Sequence, residues 1–375
     1  MPYIYQLKTW PTFIWNQEKI AVLLGPVRNR QGRLLGRMEA LGFALRTEAL
    51  LKTLTLDIIK SGEIEGEMLD AEQVRSSIAR RLGLEIAGLV SSDRHVDSVV
   101  EMMLDATQHF NKPLTKDRLF GWHASLFPGG RSGMHKIVTG AWRHDHHGRM
   151  QVVSGPIGRE RVHYEAPAAR LLNKEMRNFL KWFNGTEKID PVLKAGMAHL
   201  WFVTVHPFED GNGRIARAIA DMQLARADGS AQRFYSMSAQ IRQERKTYYE
   251  VLEKTQKNTE RKGKASGIDI TLWLEWFLAC LDRVLGSTDQ VLEDVFRKAR
   301  FWELHSPGSI NERQRTMINK LFEGLKGKLT SSKWAKITKC SQDTALRDIL
   351  ELVDKEILVK DAAGGRSTSY SLSHR

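Results

Sequence analysis

Cysteine is scarce: only Cys280 and Cys340 occur in 375 residues, and they lie far apart. That excludes a disulfide framework and a zinc site built on clustered cysteines, and it implies a reducing compartment, the cytoplasm. Long apolar runs are missing too. No stretch approaches the ~18 residues that a membrane-spanning helix requires, so no membrane partner is expected. The opening "MPYIYQLKTW" has no basic segment leading into an apolar core, and no signal peptide is expected. Internal repeats and long low-complexity tracts are absent. Negative charge is in deficit: 44 Asp and Glu face 57 Lys and Arg, a net charge of +13. This balance suits an anionic partner, whether nucleic acid, nucleotide or anionic lipid, without choosing among them. What is present is apolar bulk. An apolar fraction of 42% with ten tryptophans can build the cores of two or three domains.

The patterning is mainly helical. "YIYQLKTWPTFIW" (3–15) opens an aromatic-rich layer that a Gly-Pro break at Gly25 is expected to close. Leu34, Met38, Leu41 and Leu45 then recur at helical spacing over 34–60. "SGEIEGEML" interrupts this pattern with two glycines, and Asp70 is the expected N-cap of the next helix. Further helices are expected over 93–110, 115–126, 167–184, 190–205, 212–228, about 238–257 and 269–286. Between them, "QVVSG" and "RVHYE" flank "GPIG" within 150–167 as a β-hairpin. "NTERKGKASGID" (258–269) reads as a charged loop and "HSPGSI" (305–310) as a linker. The last unit has three helices, the middle one capped by Thr330 or Ser331, and a hairpin with a Gly-Gly tip. That is the winged helix-turn-helix order. The expected organisation is an N-terminal region (1–90), a catalytic core (91–290), a connector (291–311) and a winged-helix domain (312–375).

One stretch concentrates chemistry. "HPFEDGNGRIAR" (206–217) follows the apolar run "LWFVTV". His206 is a base in a constrained Pro-containing turn. Phe208 would anchor that turn in the core. Asp210 is a hard oxygen ligand suited to Mg²⁺, which favours one or two carboxylates together with phosphate oxygens. Gly211, Asn212 and Gly213 let backbone N–H groups face a ligand where a helix begins, and a helix N-terminus attracts anions. Arg214 and Arg217 are three apart, share a helical face and can clamp phosphate oxygens.

These residues match the pattern H-P-F-x-[DE]-G-N-G-R-x-x-R at every fixed position, so the chain resembles Fic-domain proteins. The resemblance covers most of 1–290. The 150–167 hairpin resembles the family's flap, "YYEVLEKTQ" (248–256) its pocket-closing helix, and the aromatic opening an N-terminal domain found with some members. It implies a mainly α fold, a Fic-type helical core with a β-hairpin flap, and an enzyme that moves AMP from ATP to a Tyr, Thr or Ser hydroxyl of a target protein. Gly211 and Arg214 stand where phosphate-transferring relatives often carry Ala and Lys, and both favour nucleotidyl transfer. By position, His206 would deprotonate the hydroxyl and Asp210 would hold Mg²⁺. The nucleotide would lie against Gly211, Asn212, Gly213, Arg214, Ile215, Ala216 and Arg217. In that set Asn212 and the glycine amides would take the α-phosphate, and the two arginines the β and γ phosphates. Tyr248 is the expected adenosine contact, with an ordinary core aromatic as the alternative. The exposed edge of the flap would pair with an extended target segment. A homodimer is consistent with the resemblance.

"SGEIEG" (61–66) matches the family's inhibitory motif [ST]-x-x-x-E-[GN]. Ser61 and Glu65 share a helical face, and the resemblance implies that Glu65 pairs with Arg217 in the γ-phosphate space. The same carboxylate could orient a water, so AMP removal is an alternative main reaction. "HDHH" (144–147) lacks the spacing of a zinc site and reads as a solvated loop. A DNA-binding role is the remaining alternative, through residues 312–375, which carry 13 basic and 8 acidic side chains. Against it, the expected recognition helix (341–354) has Arg347 alone against Asp343, Asp348, Glu351 and Asp354. Such a helix is poorly suited to a groove walled by phosphates.

Overall fold

A computed structural model describes residues 2–84, 89–146, 148–155, 159, 161–257, 267–305, 310–322, 324–325, 327–361 and 368–373. Residues 156–158 of the "GPIG" turn, most of the 258–269 loop, the centre of the 305–310 linker, His147 and the Gly-Gly tip lie outside the described residues. The chain forms two compact units. One comprises Met1–Gly42 with Arg46–Asp289, the other Phe43–Leu45 with Gln290–Arg375.

In the first unit, β1 (Phe13–Ile14) precedes α1 (Gln17–Glu39). The expected Gly-Pro break does not occur: α1 runs through Gly25 and Pro26. An interior proline costs about 3 kcal/mol, and here one buried face, with Ile20, Val27, Gln31, Leu34 and Met38, continues on both sides of it. The helix expected over 34–60 is instead divided. α1 ends at Glu39, and α2 (Phe43–Ile64) starts after an extended Gly42. α2 then continues past Ser61 and Gly62, so only the second glycine of "SGEIEG" ends it, at Gly66 with φ +84°.

α3 (Ala71–Arg81) is capped by Asp70, and α4 (Arg94–Gln108) and α5 (Lys116–Leu126) follow. Two hairpins come next, β2 (Arg131–Ser132) with β3 (His135–Lys136) and β4 (Gln151–Ser154) with β5 (Arg161–Glu165), both antiparallel. α6 (Leu172–Asn184) leads to α7 (Pro191–Val205), which is buried from Val192 to Val205 and forms the centre of the unit. α8 (Asn212–Asp228) packs on α7, α4 and α5. α9 (Met237–Gln243), α10 (Arg245–Gln256), β6 (Ile268–Asp269) and α11 (Thr271–Val291) complete the layer. The aromatic opening docks on this core. Phe13 pairs with Ile268 in a parallel bridge, and the Trp10 and Phe13 rings meet Trp201 edge-on at 5.8 and 5.7 Å.

In the second unit, α12 (Glu293–Leu304) lies where a connector was expected, with Val295, Phe296 and Ala299 buried. α13 (Glu312–Phe322), α14 (Ser331–Thr338, capped by Thr330) and α15 (Gln342–Asp354) precede the antiparallel pair β7 (Leu358–Lys360) and β8 (Tyr370–Leu372). Leu329 bridges to Tyr370 as a further rung. Met317, Trp334, Ile349, Leu352 and Leu358 form the core. Asp348 is turned inward onto Arg313, at 2.8 and 3.0 Å. The outer face of α15 therefore presents Asp343, Glu351 and Asp354 beside Leu346 and Leu350, 41% and 48% exposed.

Trp334 is fully buried in this second core. Trp334→Ala is expected to cost about 3–5 kcal/mol. Hydrogen exchange should show protection lost in α13–α15 while α7 and α8 stay protected.

Candidate active site

The site begins where α7 stops. A residue before proline is pushed out of the right-handed helical region, and His206, followed by Pro207, adopts φ 50°, ψ 59°. Left-handed backbone is unfavourable for a residue other than glycine, so the surroundings must hold it. Phe208, fully buried, stacks on His123 at 4.2 Å and meets Trp142 and Phe202. The Asn212 side chain closes the loop: Nδ2 donates to Phe208 O at 2.8 Å, and Oδ1 accepts the Phe208 N–H at 3.0 Å. Arg143, also buried, grips the outside. Its Nε donates to His206 O at 2.8 Å, its Nη2 to Pro167 O at 2.6 Å, and its backbone N–H to Pro207 O at 2.9 Å. The Asn212 amide, expected on the α-phosphate, is thus engaged with the loop itself. Nothing in "AWRHD" marks Arg143 from the sequence, because its partners lie 24 and 63 residues away.

This framing fixes the base. His206 Nδ1 lies 3.2 Å from Val203 O. In the tautomer this contact requires, Nδ1–H donates and the Nε2 lone pair is left toward the cavity. Burial, aided by the charge of Arg143 and opposed by the Val203 carbonyl and Asp210, brings the imidazole pKa down to about 4. At neutral pH the ring is an uncharged acceptor.

At the start of α8, Gly211 has φ 77°, and a Cβ there would lie 2.9 Å from the Phe127 ring. The two acids of the motif divide their work. Glu209 accepts the Val138 N–H at 3.0 Å and so holds the preceding loop. Asp210 accepts its neighbour's N–H (Gly211, 2.6 Å) and the Ser132 hydroxyl. Among the described residues no group of three or more His, Cys, Asp or Glu gathers as a metal cage, and His144 and His146 only pack against each other.

Two arginines complete the site. Arg217, 2% exposed, donates Nε to Ser61 Oγ at 2.9 Å and Nη2 to Ser61 O at 3.0 Å, and Nη2 pairs with Glu65 Oε1 at 2.8 Å. Arg214 lies over the Phe127 ring at 5.0 Å and pairs through Nη1 with Glu67 Oε2 at 2.7 Å. Each arginine keeps one buried N–H without a partner, Nη1 of Arg217 and Nε of Arg214. A buried donor left unpaired costs about 1–3 kcal/mol. The Glu65 carboxylate also occupies the space into which a side chain at position 213 would project. Glu67 was not singled out in the sequence. The acids at 63, 65 and 67 do alternate, and that was the available signal.

A cavity of about 1000 Å³ lies beside these groups, walled by His206, Glu65, the α8 N-terminus, the β4–β5 hairpin and α10. Tyr248 lines it but is buried, its hydroxyl 2.9 Å from His199 Nε2. Tyr249 is the more open of the two rings. Ile215 and Ala216 face the core of α8 and are buried.

Residues 113–224 match the Fic/DOC family, and residues 3–84 match a "Domain of unknown function (DUF4172)". Residues 113–224 are therefore a Fic/DOC domain. Among curated relatives, "Protein adenylyltransferase fic-1" of Caenorhabditis elegans is 29% identical over 178 residues, 47% of this chain and 32% of that protein. "Protein adenylyltransferase Fic" of Drosophila melanogaster is 26% identical over 206 residues, 52% of this chain and 36% of that protein. The chain thus spans about a third of the length of these relatives. The crystal structure of a Fic family protein from Desulfovibrio desulfuricans G20 superposes with a TM-score of 0.58 at 21% identity. It covers 96% of this chain and 98% of that one and shares its fold.

The His206 pKa is open to direct measurement. Its ring is expected to stay neutral down to about pH 4, observed as the ¹⁵N shifts of its imidazole. A midpoint near 6.5 would contradict the enclosure described. Because the folded value lies below the unfolded one, the unfolded chain takes the proton first. This group's contribution to stability therefore rises with pH between about 4 and 6.5.

Proposed function

We propose that the chain transfers AMP from ATP to a hydroxyl of a protein substrate, and that Glu65 holds the site closed. One observation carries this reading: an uncharged His206 with a free Nε2 stands beside a helix N-terminus backed by two buried arginines. Each arginine has an unpartnered N–H. In the proposed reaction Nε2 takes the hydroxyl proton and the oxygen attacks the α-phosphorus. The bond to the β-phosphate breaks and pyrophosphate leaves. The chain supplies position and charge rather than covalent chemistry, which is what this kind of transfer needs. Arg214 and Arg217 take the outer phosphates, and the first N–H groups of α8 meet the inner ones.

Asp210 fits Mg²⁺, since a single carboxylate serves when phosphate oxygens complete the shell. The ion, when bound, neutralises phosphate charge. The outer edge of the two-stranded β4–β5 hairpin, with Val153 and Val162 exposed, suits backbone pairing with an extended target segment. For the second unit we favour protein contact over DNA, since α15 exposes Asp343, Glu351, Asp354 and two leucines against Arg347 as its cation.

With Glu65 against Arg217 and over Gly213, the wild-type chain should transfer AMP slowly even at high ATP. A charge-assisted pair of this kind is worth about 1.5–3 kcal/mol. Glu65→Gly is therefore expected to raise labelling from α-labelled ATP roughly ten- to a hundredfold. Arg217→Ala should not imitate this gain, and the double variant should behave like Arg217→Ala. Equal labelling by wild type and Glu65→Gly would remove the closure. His206→Ala in the Glu65→Gly background should lose ~10²–10⁴-fold, and near-normal labelling by that folded protein would remove the base. Asp210→Ala should raise the Mg²⁺ requirement more than Glu209→Ala, and the reverse order would reassign the ligand.

A further inference from the structure

The turn that carries Glu65 makes a second contact with the site. After Gly66, the Glu67 N–H returns to Gly62 O at 3.0 Å, so the turn is closed on the end of α2. A side chain at Gly62 would crowd the Glu67 carbonyl at 3.1 Å, and the two residues are packed as one piece. The Glu67 carboxylate then joins two cationic groups from different helices. Oε2 accepts from Arg214 Nη1 on α8 at 2.7 Å, and Oε1 pairs with His95 Nε2 on α4. Arg214 is buried between this carboxylate and the Phe127 ring.

We propose that Glu67 is a second lock on the anion site, acting on Arg214 as Glu65 acts on Arg217, with His95 setting its strength. This rests on the reading that both arginines receive nucleotide phosphates. A phosphate reaching Arg214 must displace or share a carboxylate already bonded to it, and two like charges on one guanidinium repel. Both locks sit on one short turn, so a movement of the end of α2 opens both arginines together.

The groups facing His95 are Glu67 from the α2–α3 turn, Arg214 from α8 and Asp93 from the residue before α4. Its hydrogen bond to Glu67 raises the imidazole pKa above its ordinary value, against burial and the charge of Arg214. Burial pushes the Glu67 carboxyl up, but His95 and Arg214 together hold it below its ordinary value. The sign follows from this. Protonated His95 strengthens the locked cluster, and that contribution is lost as pH rises through the raised His95 value.

The test uses the full chain with Glu65→Gly, so that Arg217 is already free. Glu67→Gln keeps the shape and removes the charge, and thermal melting verifies that both proteins are folded. Titration calorimetry with ATP and Mg²⁺ should show about three- to tenfold tighter binding for Glu65→Gly/Glu67→Gln than for Glu65→Gly, as suits a partly exposed charge-assisted pair. The affinity ratio should shrink from pH 6 to pH 8.5, and the same ratio measured with His95→Gln added to both proteins should lose that trend. Unchanged or weaker binding by the double variant would overturn the lock and make Glu67 a prop for Arg214. A ratio constant across pH would remove His95 from it. Calorimetry reads the nucleotide without the transfer. Tighter ATP binding with no AMP transfer in any variant would therefore support the lock and overturn the proposed activity instead.

Discussion

The forced end of α7 is the constraint on which the site depends. Proline at 207 prevents the helix from continuing, and His206 takes left-handed backbone. Three anchors then hold a conformation that the chain alone would avoid: Phe208 in the core, Asn212 across the loop and Arg143 on the carbonyls. The same turn sets the direction in which α8 begins. One small piece of backbone therefore decides where the base points, where the helix N-terminus points and how far apart they are. The burial that fixes the loop also keeps His206 uncharged, so geometry and proton affinity share a cause.

The second organising feature is positive charge held out of water. Two guanidinium groups on one face of α8 are buried, and neither is fully satisfied. Carboxylates from the end of α2 reach over them, one to each arginine. In the proposed function, closure by this turn and binding of an anion are alternatives for the same donors. Ser61 reinforces the arrangement, since its hydroxyl and carbonyl both accept from Arg217.

How much of this was legible in the sequence follows from distance along the chain. "HPFEDGNGRIAR" could be read because its parts lie within twelve residues and follow an apolar helix. The main helices and the 150–167 hairpin were read from their periodicity, as was the three-helix and hairpin order of the second unit. Local rules failed where packing overrode them. Gly25-Pro26 does not stop α1, because its buried face continues on both sides. Leu41 and Leu45 suggested one helix where the chain makes a turn at Gly42. In the site, the Asn212 amide bonds to Phe208, and Tyr248 lines the cavity with its hydroxyl beside His199. Arg143, Glu67 and His95 were missed because their partners are 24 to 147 residues away, and no periodic pattern records such a meeting.

A crystal structure of the Glu65→Gly chain with a non-hydrolysable ATP analogue and Mg²⁺ tests the central claim most directly. The triphosphate should lie across the α8 N-terminus, with oxygens hydrogen-bonded to Arg214 and Arg217 and the α-phosphorus facing His206 Nε2. A nucleotide bound elsewhere, or one whose phosphates leave both arginines untouched, would contradict it.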